Sequence, residues 1–287
     1  MLIGFSMPSV VGYNYATTLS GGGFIGSTQS ALHDGLPARV ARMQWPTSVG
    51  VIADHMRIVL LLSGGVSSLR VAAVRGLTLP VGTKLQVDFL NGHTGFTLVA
   101  TQVQRAVRFA DGSVGAWFLF PESTPAADRV DLVVYNDING ATAIAANQYF
   151  DIGEIVAMRC ADIDIQEDWA DESIDPTETT LTRDSQPASI GRLNYRKIDV
   201  NLSASAYAQV YGAGLAGGMD WAQLRAAFAG DAPVIAMPRW RDDSGAVSQG
   251  LINSTAVFGT ARMGKVLHLG GDYYSAGVTF TESPAAS

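Results

Sequence analysis

The first half of the chain repeats one pattern: a run of alternating or β-branched residues that ends at Gly, Asp, Asn or Pro. No 3.6-residue periodicity competes with this alternation. Short runs at such spacing, without helices between them, predict an antiparallel β-sandwich or barrel. The predicted strands cover residues 38–45, 55–62, 68–76, 84–90, 95–109, 114–120, 129–136 and 149–165.

An acidic segment follows these strands. Eight carboxylates occur between positions 162 and 178 without a Lys or Arg among them: Asp162, Asp164, Glu167, Asp168, Asp171, Glu172, Asp175 and Glu178. The next residues, up to 190, are polar and include Pro187. This composition predicts a linker arm over residues 166–190, which separates a sandwich over 38–165 from a second region.

The last region, 191–287, mixes strand and helix periods and predicts a smaller β-rich domain with one or two short helices. The helix candidates are 203–214 and 220–230; Asp220 is the N-cap and Gly230 the C′ residue of the second. Predicted strands are 192–203, 233–240, 254–262 and 273–281. Residues 1–37 complete the division as an N-terminal arm with a glycine-rich loop.

Composition limits the classes of function. The 287 residues are 47% hydrophobic, which is enough for a substantial core, and only 16% are charged. A net charge of −7 argues against a nucleic-acid groove, which needs clustered Lys and Arg. The apolar run at 58–62 is too short to cross a bilayer, and the N-terminus lacks the features of a secretory signal. We therefore expect a soluble chain made in a cytoplasm.

The glycine-rich loop spells a dinucleotide-binding motif but lacks its context. Gly21, Gly23 and Gly26 satisfy G-x-G-x-x-G. The motif requires a buried strand before it, a helix that opens on the last glycine and an acidic residue about twenty positions later. None of the three is present in the sequence. We predict a hinge that binds no nucleotide.

No pattern in the sequence points to catalysis or to a metal. The four histidines are scattered; His33 and His93 are expected in solvated loops, and His55 and His268 beside apolar strands. Cys160 is the single cysteine, which excludes an intrachain disulfide, and we expect it to be a buried hydrophobe. We therefore predict no enzyme, no catalytic residues, no cofactor and no metal site.

Three weaker signals do not change that prediction. The segment at 246–250 lacks the first glycine of a nucleophile elbow. Asp162 and Asp164 begin like a calcium loop, but the turn glycine and the terminal Glu are missing. A pair of carboxylates for glycoside cleavage stays open, although nothing selects one pair among 26 acidic residues.

Aromatic residues offer a signal for a binding surface. Large aromatics could stack on sugar rings, but core and interface packing is the more common role of such residues. The candidates are Trp45, Trp117, Trp169, Trp221, Trp240, Tyr273 and Tyr274.

Several stretches of the sequence together resemble a known class of protein. They are DGLPARVARMQW (34–45), SLRVAAVRGLTLPVGTKLQVDFLNG (68–92), YFDIGEIVAM (149–158), RDSQPASIGRLNYRKIDVNLS (183–203) and GDYYSAGVTFTES (271–283). In these patches the chain resembles the distal-tail-type structural proteins of the tail tip or baseplate of long-tailed bacteriophages.

The resemblance implies a structural protein of the virion tail that assembles as a cyclic ring and connects the tail tube to host-recognition parts. Its implied partners are copies of itself and other tail or baseplate proteins, without nucleic-acid or membrane binding. The glycine-rich loop and residues 178–203 would form the contacts between subunits. A carbohydrate-binding β-sandwich module is the alternative, and an enzyme with dispersed carboxylates is a third hypothesis.

Overall fold

Antiparallel strands make up most of the chain, as the alternating runs predict. The computed structural model describes all residues except 49, 67–68, 93–95, 123, 143, 182–186, 191–192, 213, 216–218 and 286–287. Thirteen strands precede the acidic segment: β1 Leu2–Phe5, β2 Val10–Thr17, β3 Gly23–Phe24, β4 Ala41–Gln44, β5 His55–Val66, β6 Leu69–Arg75, β7 Thr83–Asn91, β8 Thr97–Arg105, β9 Val107–Arg108, β10 Val114–Leu119, β11 Ala127–Ile138, β12 Tyr149–Ile152 and β13 Glu154–Asp162.

The remainder of the chain adds shorter strands and three α-helices. The strands are β14 Ala170–Ile174, β15 Glu178–Leu181, β16 Pro187–Ile190, β17 Tyr195–Asn201, β18 Ser205–Ala206, β19 Val234–Met237, β20 Val257–Met263, β21 Leu267–Gly270, β22 Tyr273–Ser275 and β23 Gly277–Glu282. The helices are α1 Tyr207–Tyr211, α2 Trp221–Ala227 and α3 Gln249–Thr255, with 3-10 helices at Gln29–His33 and Ala229–Asp231.

Two of the helices are the predicted ones, and α3 is additional. Asp220 caps α2 as expected, since its side chain accepts a hydrogen bond from Gln223 N at 2.8 Å. The helix α3 gives little periodic signal because Ile252 is its single buried residue. Ser248 caps it by accepting a hydrogen bond from Leu251 N.

One large sheet runs through both halves of the chain. Its strand order is β14-β17-β23-β20-β19-β1-β13-β6-β10-β9. The first strand lies in its middle, where Ile3 pairs with Ala161 on one side and Ala236 on the other. The sequence predicts an arm over residues 1–37, whereas Leu2–Phe5 is fully buried sheet. These residues are buried because Leu2 projects an apolar side chain from one face of the sheet, and Ile3 and Phe5 project theirs from the other.

A five-stranded sheet packs on one end of the large sheet and forms the predicted sandwich. Its order is β2-β5-β11-β7-β8. Alternate residues of both sheets bury a shared core, in which Phe89 and Phe120 stack with ring centroids 4.1 Å apart. The inward residues of β5, for example, are Met56, Ile58, Leu60 and Leu62.

The remaining part of the large sheet has its own core on the same face. Ile3 and Ala161 belong to this second core, together with α2 residues Trp221 and Leu224. The opposite face of the sheet carries a third cluster, which includes Leu2, Trp117, Trp240 and Ile252 of α3. The first strand therefore contributes to two cores, because its side chains alternate between the faces.

The predicted hinge contains a strand of a separate three-stranded sheet, whose order is β12-β4-β3. Gly23–Phe24 forms β3, which pairs with β4. A Cβ atom on Gly22 would lie 2.8 Å from Gln44 O, and Gly22 has φ of +82°. A 3-10 helix rather than an α-helix follows the loop, so the helix N-terminus that a dinucleotide site requires is not formed there.

The acidic segment also contributes a strand. Ala170–Ile174 pairs with β17 at the edge of the large sheet, and Asp171 forms an ion pair with Arg196. Beyond it, Glu178–Leu181 and Pro187–Ile190 pair with each other, while residues 182–186 lie outside the described residues. The boundaries of the four predicted segments stay a prediction, as do their contacts between subunits.

Candidate functional site

Three tyrosines and a histidine form an exposed aromatic surface in the second half of the chain. We call Tyr207, Tyr211, Tyr274 and His268 the tyrosine cluster. Tyr211 lies 5.4 Å from Tyr207 and 5.5 Å from Tyr274, measured between ring centroids. His268 lies 5.0 Å from Tyr274. These spacings are typical of packed aromatic pairs.

Local structure explains why these rings meet. Tyr207 and Tyr211 are four residues apart on α1 and therefore share one face of the helix. Tyr274 lies directly opposite His268 across the β21–β22 pair, so both project from the same face of that small sheet. Tyr207 N donates a hydrogen bond to Asp272 O at 3.1 Å, which ties α1 to the β21–β22 turn.

Much of the aromatic area faces solvent. Tyr207 is 55% exposed and Tyr211 47% exposed, whereas Tyr274 is partly buried against the second core. Burial raises the pKa of Tyr274, and the neighbouring Asp272 raises it further. The phenol is therefore a neutral group that can donate and accept hydrogen bonds. Tyr273, on the opposite face of β22, is 52% exposed.

A shallow pocket of about 450 Å³ adjoins the cluster at Tyr211. Trp221 contributes to its lining, and Arg225 and Lys265 supply cationic hydrogen-bond donors. No ion pair within the described residues involves Arg225 or Lys265. An aromatic surface beside polar donors can hold a ligand that has both apolar faces and hydroxyl groups.

The tryptophans pack in the protein interior, which is the more common of the two roles considered for them. Trp45, Trp117, Trp221 and Trp240 are at most 5% exposed and pack in the cores, as the alternative interpretation expects. Trp169 packs partly buried against the second core. Of the aromatic candidates from the sequence, Tyr274 belongs to the tyrosine cluster, while Tyr273 is exposed on the opposite face of β22. Sequence reasoning missed Tyr207 and Tyr211, although their i, i+4 spacing in a helix candidate was a usable signal.

The histidines do not form a catalytic group in the described part of the chain. The sequence predicts a solvated loop around His33, but this side chain is largely buried because both ring nitrogens lie 2.7 Å from carbonyl oxygens, those of Ile155 and Pro8. Burial lowers its pKa. His55 contacts Tyr135, and His93 lies outside the described residues.

Cys160 is buried, and Asp162 of the acidic segment lies beside cationic groups. Burial raises the pKa of the Cys160 thiol, so it stays protonated and unreactive. Asp162 lies 3.9 Å from the guanidinium of Arg241. Within the described ranges, no group of three His, Cys, Asp or Glu side chains could hold a metal ion, and no helix is long and apolar enough to span a membrane.

Scans of the sequence against family models and curated proteins gave no match. Solved structures similar to the chain include a pectin-binding carbohydrate-binding module, with 15% identity, 52% of this chain and 91% of that chain covered, and a TM-score of 0.34. A carbohydrate-binding module from a family 31 glycoside hydrolase of Clostridium perfringens shares 10% identity over 53% of this chain and 96% of its own, with a TM-score of 0.35.

A family 32 module from C. perfringens NanJ, in complex with galactose, shares 14% identity over 50% of this chain and 92% of its own, with a TM-score of 0.31. At these identities and TM-scores, the matches assign neither a ligand nor a binding residue to this chain. They do correct one interpretation. The three structures named above are carbohydrate-binding modules, and none of them is a tail protein. The resemblance to distal-tail-type proteins, and the virion role drawn from it, is therefore wrong.

That resemblance rests on strand and turn segments such as 68–92, which are common to many antiparallel sandwiches. Alternation and turn residues specify a sheet, but they do not specify what the sheet does. The cyclic assembly and the localisation that the resemblance implied stay predictions.

Proposed function

We propose that the protein binds carbohydrate without chemical conversion and that the tyrosine cluster is the binding surface. The observation that carries this proposal is the packing of three tyrosine rings at the surface, two of them about half exposed. Large aromatics are normally buried, and an exposed group of them marks an interaction site. A sugar ring offers C–H faces to such rings and hydroxyls to adjacent donors.

The surroundings of the cluster support a sugar rather than a purely apolar ligand. The His268 ring and the tyrosine hydroxyls can donate and accept hydrogen bonds, and Arg225 and Lys265 line the same pocket as Tyr211. A wholly apolar partner would leave these groups without hydrogen bonds when water is excluded. The mixed character of the surface therefore matches a polyhydroxylated ligand.

Binding without conversion is supported by the residues around the cluster. No carboxylate lines the adjacent pocket, and glycoside cleavage commonly requires a pair of them on either side of the scissile bond. The carboxylate of Asp272 lies near Tyr274, but no second carboxylate occurs among the residues of the cluster or the lining of the pocket.

A glycan array tests the proposal. The full-length chain should bind one or more neutral saccharides, and Tyr207→Ala combined with Tyr211→Ala should abolish that signal. Tyr149→Ala is the matched control, because Tyr149 is 58% exposed but lies on β12, outside the cluster. If the control and the double variant lose binding equally, or if no saccharide binds the folded protein, the proposal is wrong.

A further inference from the structure

A second cleft, which shares no residue with the pocket beside the tyrosine cluster, contains a buried arginine with no hydrogen-bonded carboxylate among the described residues. Four arginines in the described part of the chain are at most 8% exposed. Three of them form hydrogen-bonded ion pairs: Arg75 with Glu282, Arg129 with Asp131, and Arg196 with Asp171. The fourth is Arg70. Its Nε has no hydrogen-bond partner among the described residues.

The carboxylates near Arg70 and its neighbour Arg241 are too distant for hydrogen bonds. Arg70 Nη1 lies 4.0 Å from Glu122, whose side chain is 65% exposed, and Arg241 Nη2 lies 3.9 Å from Asp162. Charge-assisted hydrogen bonds between nitrogen and oxygen are typically about 2.7–2.9 Å long. Both guanidiniums therefore have N–H groups that can donate hydrogen bonds to an additional anion.

Both guanidiniums contact the ring of Trp240. The Arg70 guanidinium carbon lies 5.1 Å from the Trp240 ring centroid, and that of Arg241 lies 3.9 Å from it. Trp240 is 5% exposed and packs in the third core, so it is a rigid support. Because Arg70 and Arg241 also line the same cleft, the two cations beside this fixed ring form a preorganised site for a negatively charged group.

The cleft has a volume of about 520 Å³, and its other walls carry amides and apolar groups. Gln104 Nε2 donates to Gln249 Oε1 at 3.1 Å, and Gln249 Nε2 donates to Trp117 O at 3.0 Å. Neutral amides of this kind can donate to and accept from hydroxyl groups. The remaining wall residues include Gln102, Leu119 and Val247.

We propose that this arginine cleft, defined by Arg70, Gln102, Gln104, Trp240 and Arg241, binds a sugar acid. The carboxylate contacts the two guanidiniums, and the sugar hydroxyls contact the glutamine amides. The inference does not depend on the tyrosine cluster, since the two sites share no residue.

Isothermal titration calorimetry of the chain with glucuronate tests whether the cleft binds a sugar acid. Glucose, which lacks the carboxylate, and acetate, which lacks the sugar ring, are the comparison ligands. Glucuronate should bind more tightly than either. Arg241→Gln should weaken glucuronate binding about tenfold or more, which is the loss expected for hydrogen bonds to a charged group. Arg241 is half exposed, so this variant should fold. Arg70→Lys, which keeps the charge but not the planar fork, should also weaken binding.

Three controls make the test decisive. Arg262→Gln removes a charge whose side chain is 83% exposed and outside the cleft, and it should leave binding unchanged. Glu122→Gln removes a competing carboxylate and should tighten binding. Tyr207→Ala with Tyr211→Ala should have no effect, which separates this cleft from the tyrosine cluster. Equal affinity for glucose and glucuronate, acetate binding as tight as glucuronate, or an unaffected Arg241→Gln variant would overturn the proposal.

Discussion

Arg75 on β6 donates a hydrogen bond to Glu282 on the last strand across 3.1 Å, although 207 residues separate them in the sequence. Both side chains are at most 3% exposed, and Asp111 shares the same guanidinium. Glu282 also accepts a hydrogen bond from Arg196 N. The network joins the sandwich to the end of the chain.

Removal of Arg75 should destabilise the protein strongly. Arg75→Met leaves Asp111 and Glu282 buried without their cation, and breaking a buried pair in this way costs about 3–5 kcal/mol. Chemical denaturation measures the change in the free energy of unfolding. Arg39→Met is the control, because its pair with Asp34 is exposed and contributes only about 0–1 kcal/mol. Equal losses in the two variants would contradict the assigned role of the network.

Glu154 should make the stability of the fold fall as the pH rises from about 4.5 to about 8. The side chain is fully buried, and burial raises its pKa from 4.5 to about 8. A folded-state pKa above the unfolded one gives a contribution that is complete below pH 4.5 and is lost as the pH rises through about 8. Glu154→Gln should therefore raise the free energy of unfolding at alkaline pH relative to the parent and flatten its pH dependence.

Each pKa unit of such a shift corresponds to about 1.4 kcal/mol, so an effect of several kcal/mol is expected for Glu154. Urea denaturation from mildly acidic to alkaline pH measures it. The amide oxygen introduced by Glu154→Gln can still accept the hydrogen bond that Gly35 N donates to Glu154 at 3.1 Å in the parent. A variant with the same pH dependence as the parent would show that Glu154 titrates normally.

The cap of α2 contributes to stability next to the candidate pocket. Asp220 accepts from Gln223 N, and Gln223 Oε1 accepts from Asp220 N at 3.3 Å. Asp220→Ala should lower the free energy of unfolding by about 1 kcal/mol, while Asp220→Asn should be nearly neutral. Thermal unfolding of both variants distinguishes a lost cap from a lost charge, since a charge effect would make the two variants equal.

The glycine-rich loop should respond to substitution in a position-dependent way. A Cβ on Gly22 would lie 2.8 Å from a backbone oxygen, whereas a Cβ on Gly26 meets nothing within 4 Å. Both glycines have positive φ, which alone costs an alanine about 1–2 kcal/mol. Gly22→Ala should therefore lower the melting temperature more than Gly26→Ala does. A hinge without defined contacts would tolerate both substitutions equally.

Fold class was predictable from the sequence because alternation reports directly which face of a strand is buried. Helix α2 was also predictable from its local sequence, because Asp220 is a residue type that commonly caps helix N-termini. The position of β1 was not, because four apolar residues at the start of the chain carry no signal about the strands that flank them. Its pairing with Ala161 and Ala236 depends on contacts across the whole chain.

The candidate sites were only partly predictable. Tyr274 was among the aromatic candidates from the sequence. Its contacts with Tyr207, Tyr211 and His268 form only in the folded chain. Exposure separates these tyrosines from the buried tryptophans, and exposure of an aromatic residue is not encoded in its immediate sequence. The contact between Arg70 and Trp240 likewise joins residues that are far apart along the chain.

The most direct test of whether the tyrosine cluster binds carbohydrate is to follow the NMR chemical shifts of the tyrosine rings. NMR spectra of the aromatic side chains would be recorded while a saccharide selected on the array is added. If the cluster binds carbohydrate, the resonances of Tyr207, Tyr211 and Tyr274 should shift saturably, while those of Tyr149 stay unchanged. Shifts confined to Tyr149 or to residues outside the cluster, or binding without any shift at these three rings, would contradict this prediction.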